Sequence, residues 1–274
     1  MVTKKDYTAE AVEAARSVLI ELVHLLGEYR DHIVIVGGWV PELLLGNQKT
    51  PHIGSTDVDL ALDHRKLKDE GYRTIRKLLL ARGYKEGEQP FVFERKIEGK
   101  EVFVEVDFLA GEYGGTNKRH RHQKILEQDM RPRKARGCDL VFDDPKELTL
   151  EGELPGGAKD SVNVRIASIV PFLVMKAMAL HDRIKEKDAW DIYYCIQNYP
   201  NGIDALVEEF KPHIEHGLVK EGLEKMAGKF ASENHTGPKF VADFEELDDT
   251  EEREILERDA FEKVNYLLEK LGIW

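Results

Sequence analysis

Two stretches decide the reading of this chain: Val34-Ile35-Val36-Gly37-Gly38-Trp39, and downstream Ser55-Thr56-Asp57-Val58-Asp59-Leu60-Ala61-Leu62. A hydrophobic run ends in a Gly pair, a short apolar helix follows, and a second hydrophobic run carries two Asp residues two positions apart. Alternation along a strand sends residues i and i+2 to one face, so Asp57 and Asp59 are expected to point the same way. Adjacent carboxylates repel each other, which is tolerable when a divalent cation sits between them. A Gly-Gly turn beside such a cation suits close approach of a phosphate chain. The pattern points to metal-dependent phosphoryl or nucleotidyl chemistry.

A third acid lies in Val104-Glu105-Val106-Asp107-Phe108. Alternation puts Val104, Val106 and Phe108 on one face and Glu105, Asp107 and Leu109 on the other. A carboxylate buried among apolar residues is costly without a cation. If this strand adjoins the Asp57 strand, three carboxylates converge, the arrangement that holds two magnesium ions roughly 3.5–4 Å apart. A lone Asp near a strand end usually caps a turn, and a D-x-D pair alone says little. The Gly pair, Ser55-Thr56 and Asp107 together carry the metal-site reading.

Outward from this core, residues 8–29 place Val12, Ala15, Val18, Leu19, Leu22, Val23 and Leu26 at helical spacing. Residues 33–36 read as a buried strand, and Pro41 opens a short helix that ends near Gly46. Residues 48–55 read as a loop, 57–62 as a strand, and 65–82 as a helix closed by Gly83. Residues 91–95 and 101–109 alternate as strands joined by a Glu98-Gly99-Lys100 turn. The stretch 111–136 reads as a basic loop, and 162–166 as one more short strand. From Ser168 the chain reads as helices, with breaks at Tyr199-Pro200-Asn201-Gly202 and around Gly237-Pro238. The expected class is α/β (α+β): residues 1–167 a catalytic domain with a mixed sheet flanked by helices, residues 168–274 a helical domain.

The 274 residues carry a formal net charge of −12, which argues against indiscriminate coating of nucleic acid. The charge is uneven. Lys118, Arg119, Arg121, Lys124, Arg131, Arg133, Lys134 and Arg136 cluster against only Glu127 and Asp129, while acidic residues crowd 245–252. A basic face on an acidic protein fits one polyanion at one place, and an arginine-rich solvated loop fits the same residues. Cys138 and Cys195 have neither metal-type spacing nor a disulfide framework. No apolar run approaches the ~20 residues that span a bilayer, and the N-terminus lacks the apolar core of a secretory signal, so a cytoplasmic protein is expected.

Hydrophobic-Gly-Gly, a D-x-D on the next strand and a single Asp on a later one resemble the signature of the DNA polymerase β-type nucleotidyltransferase superfamily. The resemblance implies a nucleotidyltransferase fold, with Gly37, Gly38, Ser55 and Thr56 at the nucleotide and Asp57, Asp59 and Asp107 as magnesium ligands. That superfamily commonly has Ser after the Gly pair; here it is Trp39. Downstream, Ile169-Val170-Pro171-Phe172-Leu173-Val174-Met175-Lys176-Ala177-Met178, then Arg183-Ile184-Lys185-Glu186-Lys187-Asp188-Ala189-Trp190-Asp191, resemble the helical region of AbiEii-type, toxin-like nucleotidyltransferases. The resemblance implies that Lys176, Lys187, Asp188 and Asp191 face the nucleotide, with a triphosphate as partner for the buried Lys176, and it makes an antitoxin a possible partner. The alternative for these residues is a snorkelling lysine and a helix cap at Asp188.

Val36-Gly37-Gly38-Trp39-Val40-Pro41-Glu42-Leu43-Leu44-Leu45-Gly46 is also similar to the opening of CCA-adding enzymes and bacterial poly(A) polymerases, whose R-R-D-F-T-x-N element is absent here. The expected chemistry is transfer of a nucleoside monophosphate from an NTP, ATP included, to a hydroxyl activated by Mg2+, two ions in all. The expected acceptor is a tRNA 3′ end or other RNA tracked by residues 118–136. A small cationic acceptor such as an aminoglycoside, or a binding module without catalysis, are the alternatives.

Overall fold

The computed structural model describes residues 3–46, 48, 50–68, 73–115, 119–248 and 250–273. Lys118, residues 69–72 of the expected 65–82 helix, and Asp249 of the acidic run lie outside the described residues. The chain divides into two compact units. Thr8–Val40 and Gly54–Ser168 form an α/β unit; Met1–Tyr7, Pro41–Ile53 and Ile169–Trp274 form a helical one. The helical unit thus takes in two segments that a single linear boundary near residue 167 leaves on the other side.

The α/β unit opens with helix α1 (Ala9–Leu25), started by Thr8, whose hydroxyl accepts from the Ala11 amide at 3.3 Å. Its apolar stripe Ala15, Val18, Leu19 and Leu22 is fully buried, as the helical spacing requires. Then come β1 (Ile33–Val36), the first two residues of helix α2 (Trp39–Leu45, from Pro41 on part of the helical unit), β2 (Val58–Leu62), α3 (Ile75–Arg82), β3 (Lys85–Glu86), β4 (Val92–Lys96) and β5 (Phe103–Ala110). A two-residue β6 (Arg133–Lys134) and the hairpin of β7 (Lys146–Glu153) and β8 (Lys159–Ile166) complete the unit. The strands form one mixed eight-stranded sheet in the order β3-β4-β5-β2-β1-β8-β7, with β6 pairing β5. β1 and β2 are antiparallel, while β1–β8 and β2–β5 are parallel. The central strand β1 is buried along its whole length, which explains its unbroken apolar run.

Two expectations need correction. The helix read over 65–82 begins only at Ile75, capped by Thr74, because the Asp63 backbone carbonyl accepts from Lys66 and Leu67 at 3.0 Å and turns the chain there. Gly83 closes that helix in the left-handed conformation, φ +94, as expected. Strand β7 went unread and β8 starts three residues early, since β7 lies at the sheet edge with Leu150 its one buried side chain and offers no hydrophobic run. The break expected around Gly237-Pro238 lies just before it, at residues 230–235, and Pro238 sits in the first turn of the next helix, where a missing N–H is tolerated.

The helical unit contains α4 (Ile169–Asp182), α5 (Glu186–Asn198), α6 (Ile203–Phe210), α7 (Gly217–Lys229), α8 (Thr236–Phe244) and α9 (Thr250–Lys270). In α9, Ala260, Val264, Leu267 and Leu268 are buried by packing within the unit, while Ile255 is exposed. The N-terminal segment is held by Tyr7 edge-on to Phe244, centroids 5.8 Å apart, and by Lys4–Glu245 and Lys5–Glu246 ion pairs. Part of the acidic run is therefore engaged with this segment.

One charge on α1 breaks its apolar stripe. Glu21 is buried and accepts from Arg82 Nε at 2.7 Å, Arg95 Nε at 2.9 Å and Tyr84 Oη at 2.9 Å, tying α1 to α3 and β4. Burial pushes its pKa up, but the hydrogen bonds from Arg95, Arg82 and Tyr84 outweigh that and hold it below the ordinary glutamate value. Glu21→Gln leaves Arg95 buried without its countercharge. We expect it to cost about 3 kcal/mol and to lower the melting temperature by roughly 6–12 °C in calorimetry; an unchanged melting temperature would show the network to be dispensable.

Candidate active site

The expected acids in the α/β unit lie where β2 runs between β1 and β5. Asp59 stands opposite Val36 on β1 and opposite Asp107 on β5, so two of the three carboxylates occupy register positions on neighbouring parallel strands. Asp57 precedes the first residue of β2, and the buried Ser55 donates its hydroxyl to Asp57 Oδ1 at 2.5 Å. Asp57, Asp59, Asp107 and Thr56 are all partly exposed and open to solvent.

The Gly-Gly turn is shaped by Asp59. Gly37 has φ +70, and a Cβ built there would lie 1.9 Å from Asp59 Oδ2, so any side chain would collide with the carboxylate. Gly38 is buried beside it. Trp39, in the place of the superfamily's usual Ser, is fully buried and donates its indole N–H to the Asp57 carbonyl at 2.8 Å. It fixes the start of the D-x-D strand against the turn.

Asp107 is engaged differently from the expectation. Arg133 Nη2 donates to its Oδ2 at 3.1 Å, and the guanidinium lies 5.8 Å from the Phe91 ring centroid. Among the described residues no group of three His, Cys, Asp or Glu side chains is arranged to hold a metal ion. The backbone brings Asp59 and Asp107 side by side, and the Asp107 side chain is turned to an arginine.

Arg133 comes from the expected basic loop, which is held in a defined path. Gln123 and Gln128 are fully buried; Gln123 donates to the Gly111 carbonyl at 2.7 Å and Gln128 accepts from the Ile75 amide at 3.1 Å. Arg119, His120, Arg121, Lys124 and Arg131 are exposed on this frame. Arg136 instead pairs with Glu112 at 2.7 Å. Arg133 and Arg136 are thus internal ties, and among the described residues of the loop the exposed Lys and Arg side chains are Arg119, Arg121, Lys124 and Arg131.

The remaining expected residues lie together in the helical unit. Lys176 on α4 reaches Asp188 Oδ1 at 2.8 Å and Asp191 Oδ2 at 2.7 Å on α5. Lys187 reaches Asp191 Oδ1 at 2.9 Å, and Arg183 reaches Asp188 Oδ2 at 2.9 Å. The partner that the resemblance assigned to a triphosphate is supplied for Lys176 by two carboxylates, and Asp188 is an ion-pair partner here rather than a cap. Burial opposes charge on Lys176, Asp188 and Asp191. Lys176 above all, then Arg183 at Asp188 and Lys187 at Asp191, hold both carboxyls below the usual range, and the two Asp raise the Lys176 pKa in return.

His52 completes this cluster. Its Nε2 donates to Asp191 Oδ1 at 2.9 Å, the carboxylate being able only to accept, and its ring lies 5.0 Å from Trp190 and 4.9 Å from Tyr194. Tyr194 donates its hydroxyl to the Thr50 carbonyl at 2.8 Å. Segment Pro41–Ile53 is fastened to α5 in this way. Burial first, and the Lys187 charge second, push the His52 pKa down to about 4, so the ring is neutral near pH 7.

The family model for the nucleotidyl transferase AbiEii toxin of type IV toxin–antitoxin systems matches residues 54–265. The chain belongs to this family. The AbiEii match takes in Asp57, Asp59, Asp107, Lys176, Lys187, Asp188 and Asp191, and begins after the Gly37-Gly38 turn. The comparison with curated proteins found no match. As an AbiEii member the chain is a nucleotidyltransferase of the toxin type, on a mixed sheet flanked by helices.

Two contributors to these sites escaped the sequence. His52 sits in a loop with no periodicity, its only signal being a histidine five positions before Asp57. Arg133 reads as one more cation in a basic run, because a two-residue strand leaves no pattern.

Gly37→Ala is expected to displace Asp59 and to reduce nucleotidyl transfer by at least about a hundredfold, the scale for a misplaced catalytic group; wild-type turnover by this variant would contradict the close approach. His52 should remain neutral in nitrogen-detected NMR down to about pH 5.5. Its folded pKa lies below the unfolded value, so between about pH 6.5 and 4 the unfolded chain binds the extra proton and stability falls as pH drops. A His52 titration midpoint near 6.5 would contradict the buried pairing.

Proposed function

We propose that the chain transfers a nucleoside monophosphate from an NTP to a hydroxyl of RNA, a tRNA 3′ end foremost, with magnesium held by Asp57, Asp59 and Asp107. One observation carries this reading: Asp59 and Asp107 are register partners on parallel strands, and the Asp59 carboxylate lies against a glycine turn that admits no side chain. The donor set fits a hard dication, being three partly exposed carboxylates, one of which must turn from an arginine. Bound there, magnesium would neutralise the triphosphate and lower the pKa of the attacking hydroxyl.

The chain's own groups set the rest. Ser55 orients Asp57, Trp39 fixes the strand start, and the Gly37-Gly38 turn is the place proposed for the phosphate chain. Lys176 is paired to Asp188 and Asp191, and Lys187 to Asp191. The exposed cations of the basic loop favour a polyanionic acceptor over a cationic small molecule. Family membership supports an antitoxin as a partner. Among the described residues no helix is long and apolar enough to cross a membrane.

The test is transfer of label from α-labelled NTPs to total RNA with magnesium. Asp57→Asn and Asp59→Asn are each expected to lower incorporation at least about a thousandfold, on the scale of losing a catalytic charge, with circular dichroism unchanged. Activity retained in both would end the proposal. For the acceptor, neutralising Lys124 and Arg131 should reduce the slope of log K against log salt by about 1.4 for single-stranded RNA. An RNA affinity indifferent to salt would exclude this loop as the binding surface.

A further inference from the structure

We infer that Arg133 is a resident counter-cation for Asp107 which a divalent metal has to displace, so that this one arginine sets the metal affinity of the centre. The inference rests on the magnesium reading above and concerns a residue outside the carboxylate set. Arg133 reaches Asp107 from β6, the two-residue strand within the basic loop that runs parallel to β5 beside Leu109 and Ala110. Its grip is partial. One N–H bonds to one carboxylate oxygen at 3.1 Å, rather than two in the forked manner of a strong arginine–carboxylate pair. The guanidinium Nε is buried and makes no hydrogen bond, while the side chain as a whole is 34% exposed. A partly exposed, singly bonded pair is a weak one.

Asp59 and Asp107 stand side by side in register, and the repulsion between two such carboxylates has to be relieved. Arg133 supplies a positive charge to this pair of strands. A dication drawn to Asp57, Asp59 and Asp107 offers twice the charge and several oxygen-ligand bonds, so it competes for the same oxygen. Arg133 then gives up Oδ2, and its positive charge close to the dication opposes binding. Arg133 is a positioning residue by this account, and it also joins the loop that carries Arg121, Lys124 and Arg131 to a metal ligand. Arg133 itself is bridged to His122 across that loop.

The experiment is a Mn2+ titration of the full chain, followed by the EPR signal of free Mn2+, with and without a non-hydrolysable ATP analogue. Arg133→Met, which keeps an apolar contact with Phe91, and Arg133→Gln are compared with wild type. Both are expected to bind Mn2+ at least about tenfold more tightly, from removal of a competing charge a few ångströms away. Affinity unchanged or weaker in variants with native circular dichroism overturns the inference, and leaves the magnesium reading standing if wild type binds. No Mn2+ binding by any of the three, with or without nucleotide, overturns both. Should either variant fail to fold, a Mn2+-soaked crystal of wild type decides: metal on Asp107 with Arg133 still bonded to Oδ2 overturns the inference, and Arg133 swung away supports it.

Discussion

Like charge on neighbouring strands is the constraint around which the α/β unit is arranged. Asp59 and Asp107 face each other across a parallel pair in the middle of the sheet, where apolar residues would stabilise the fold more. The surroundings compensate in different ways on the two sides. Next to Asp59 the backbone gives way, with Gly37 in a left-handed turn that leaves the carboxylate room. Beside Asp107 a cation is brought in from a distant loop. The loop in turn requires two fully buried glutamines to hold its path, so a local electrostatic problem extends to residues some twenty positions away.

The helical unit meets the same problem in another form. Lys176, Asp188, Asp191 and Lys187 are buried ions that neutralise one another, and neutral His52 satisfies a carboxylate oxygen without adding charge. Removing one member of such a set strands the others in a medium of low polarisability, which makes the cluster sensitive to single substitutions. Its arrangement also fixes the side chains of α4 and α5 relative to each other within the unit.

What the sequence disclosed follows from periodicity. The stripe of α1, the buried run of β1, the alternation of β5 and the D-x-D of β2 are regular patterns, and each emerged within a residue or two of its observed place. The Gly pair was legible as a turn, though its steric reason, the Asp59 carboxylate, depends on strand pairing. What stayed hidden is non-periodic or long-range. β7 has one buried side chain, β6 is two residues long, Glu21 interrupts an apolar stripe, and His52 lies in a loop. The partner of Lys176 was sought in a ligand because nothing in linear order reveals that Asp191, fifteen residues on, faces back to it.

Segment Pro41–Ile53 belongs to the helical unit although it is made long before the helices it joins. His52 and Thr50 find their partners at Asp191 and Tyr194, and the N-terminal Tyr7 finds Phe244. On the ribosome, synthesis is vectorial, at about 5–20 residues per second. The linker immediately before Asp57 therefore waits roughly ten seconds or more for its anchor, and Tyr7 longer still. A chain interrupted before α5 carries every carboxylate of the D-x-D strand and β5, yet lacks Asp191 and Tyr194, the partners of His52 and Thr50. Fastening of the Pro41–Ile53 segment therefore follows synthesis of α5, long after the segment itself is made.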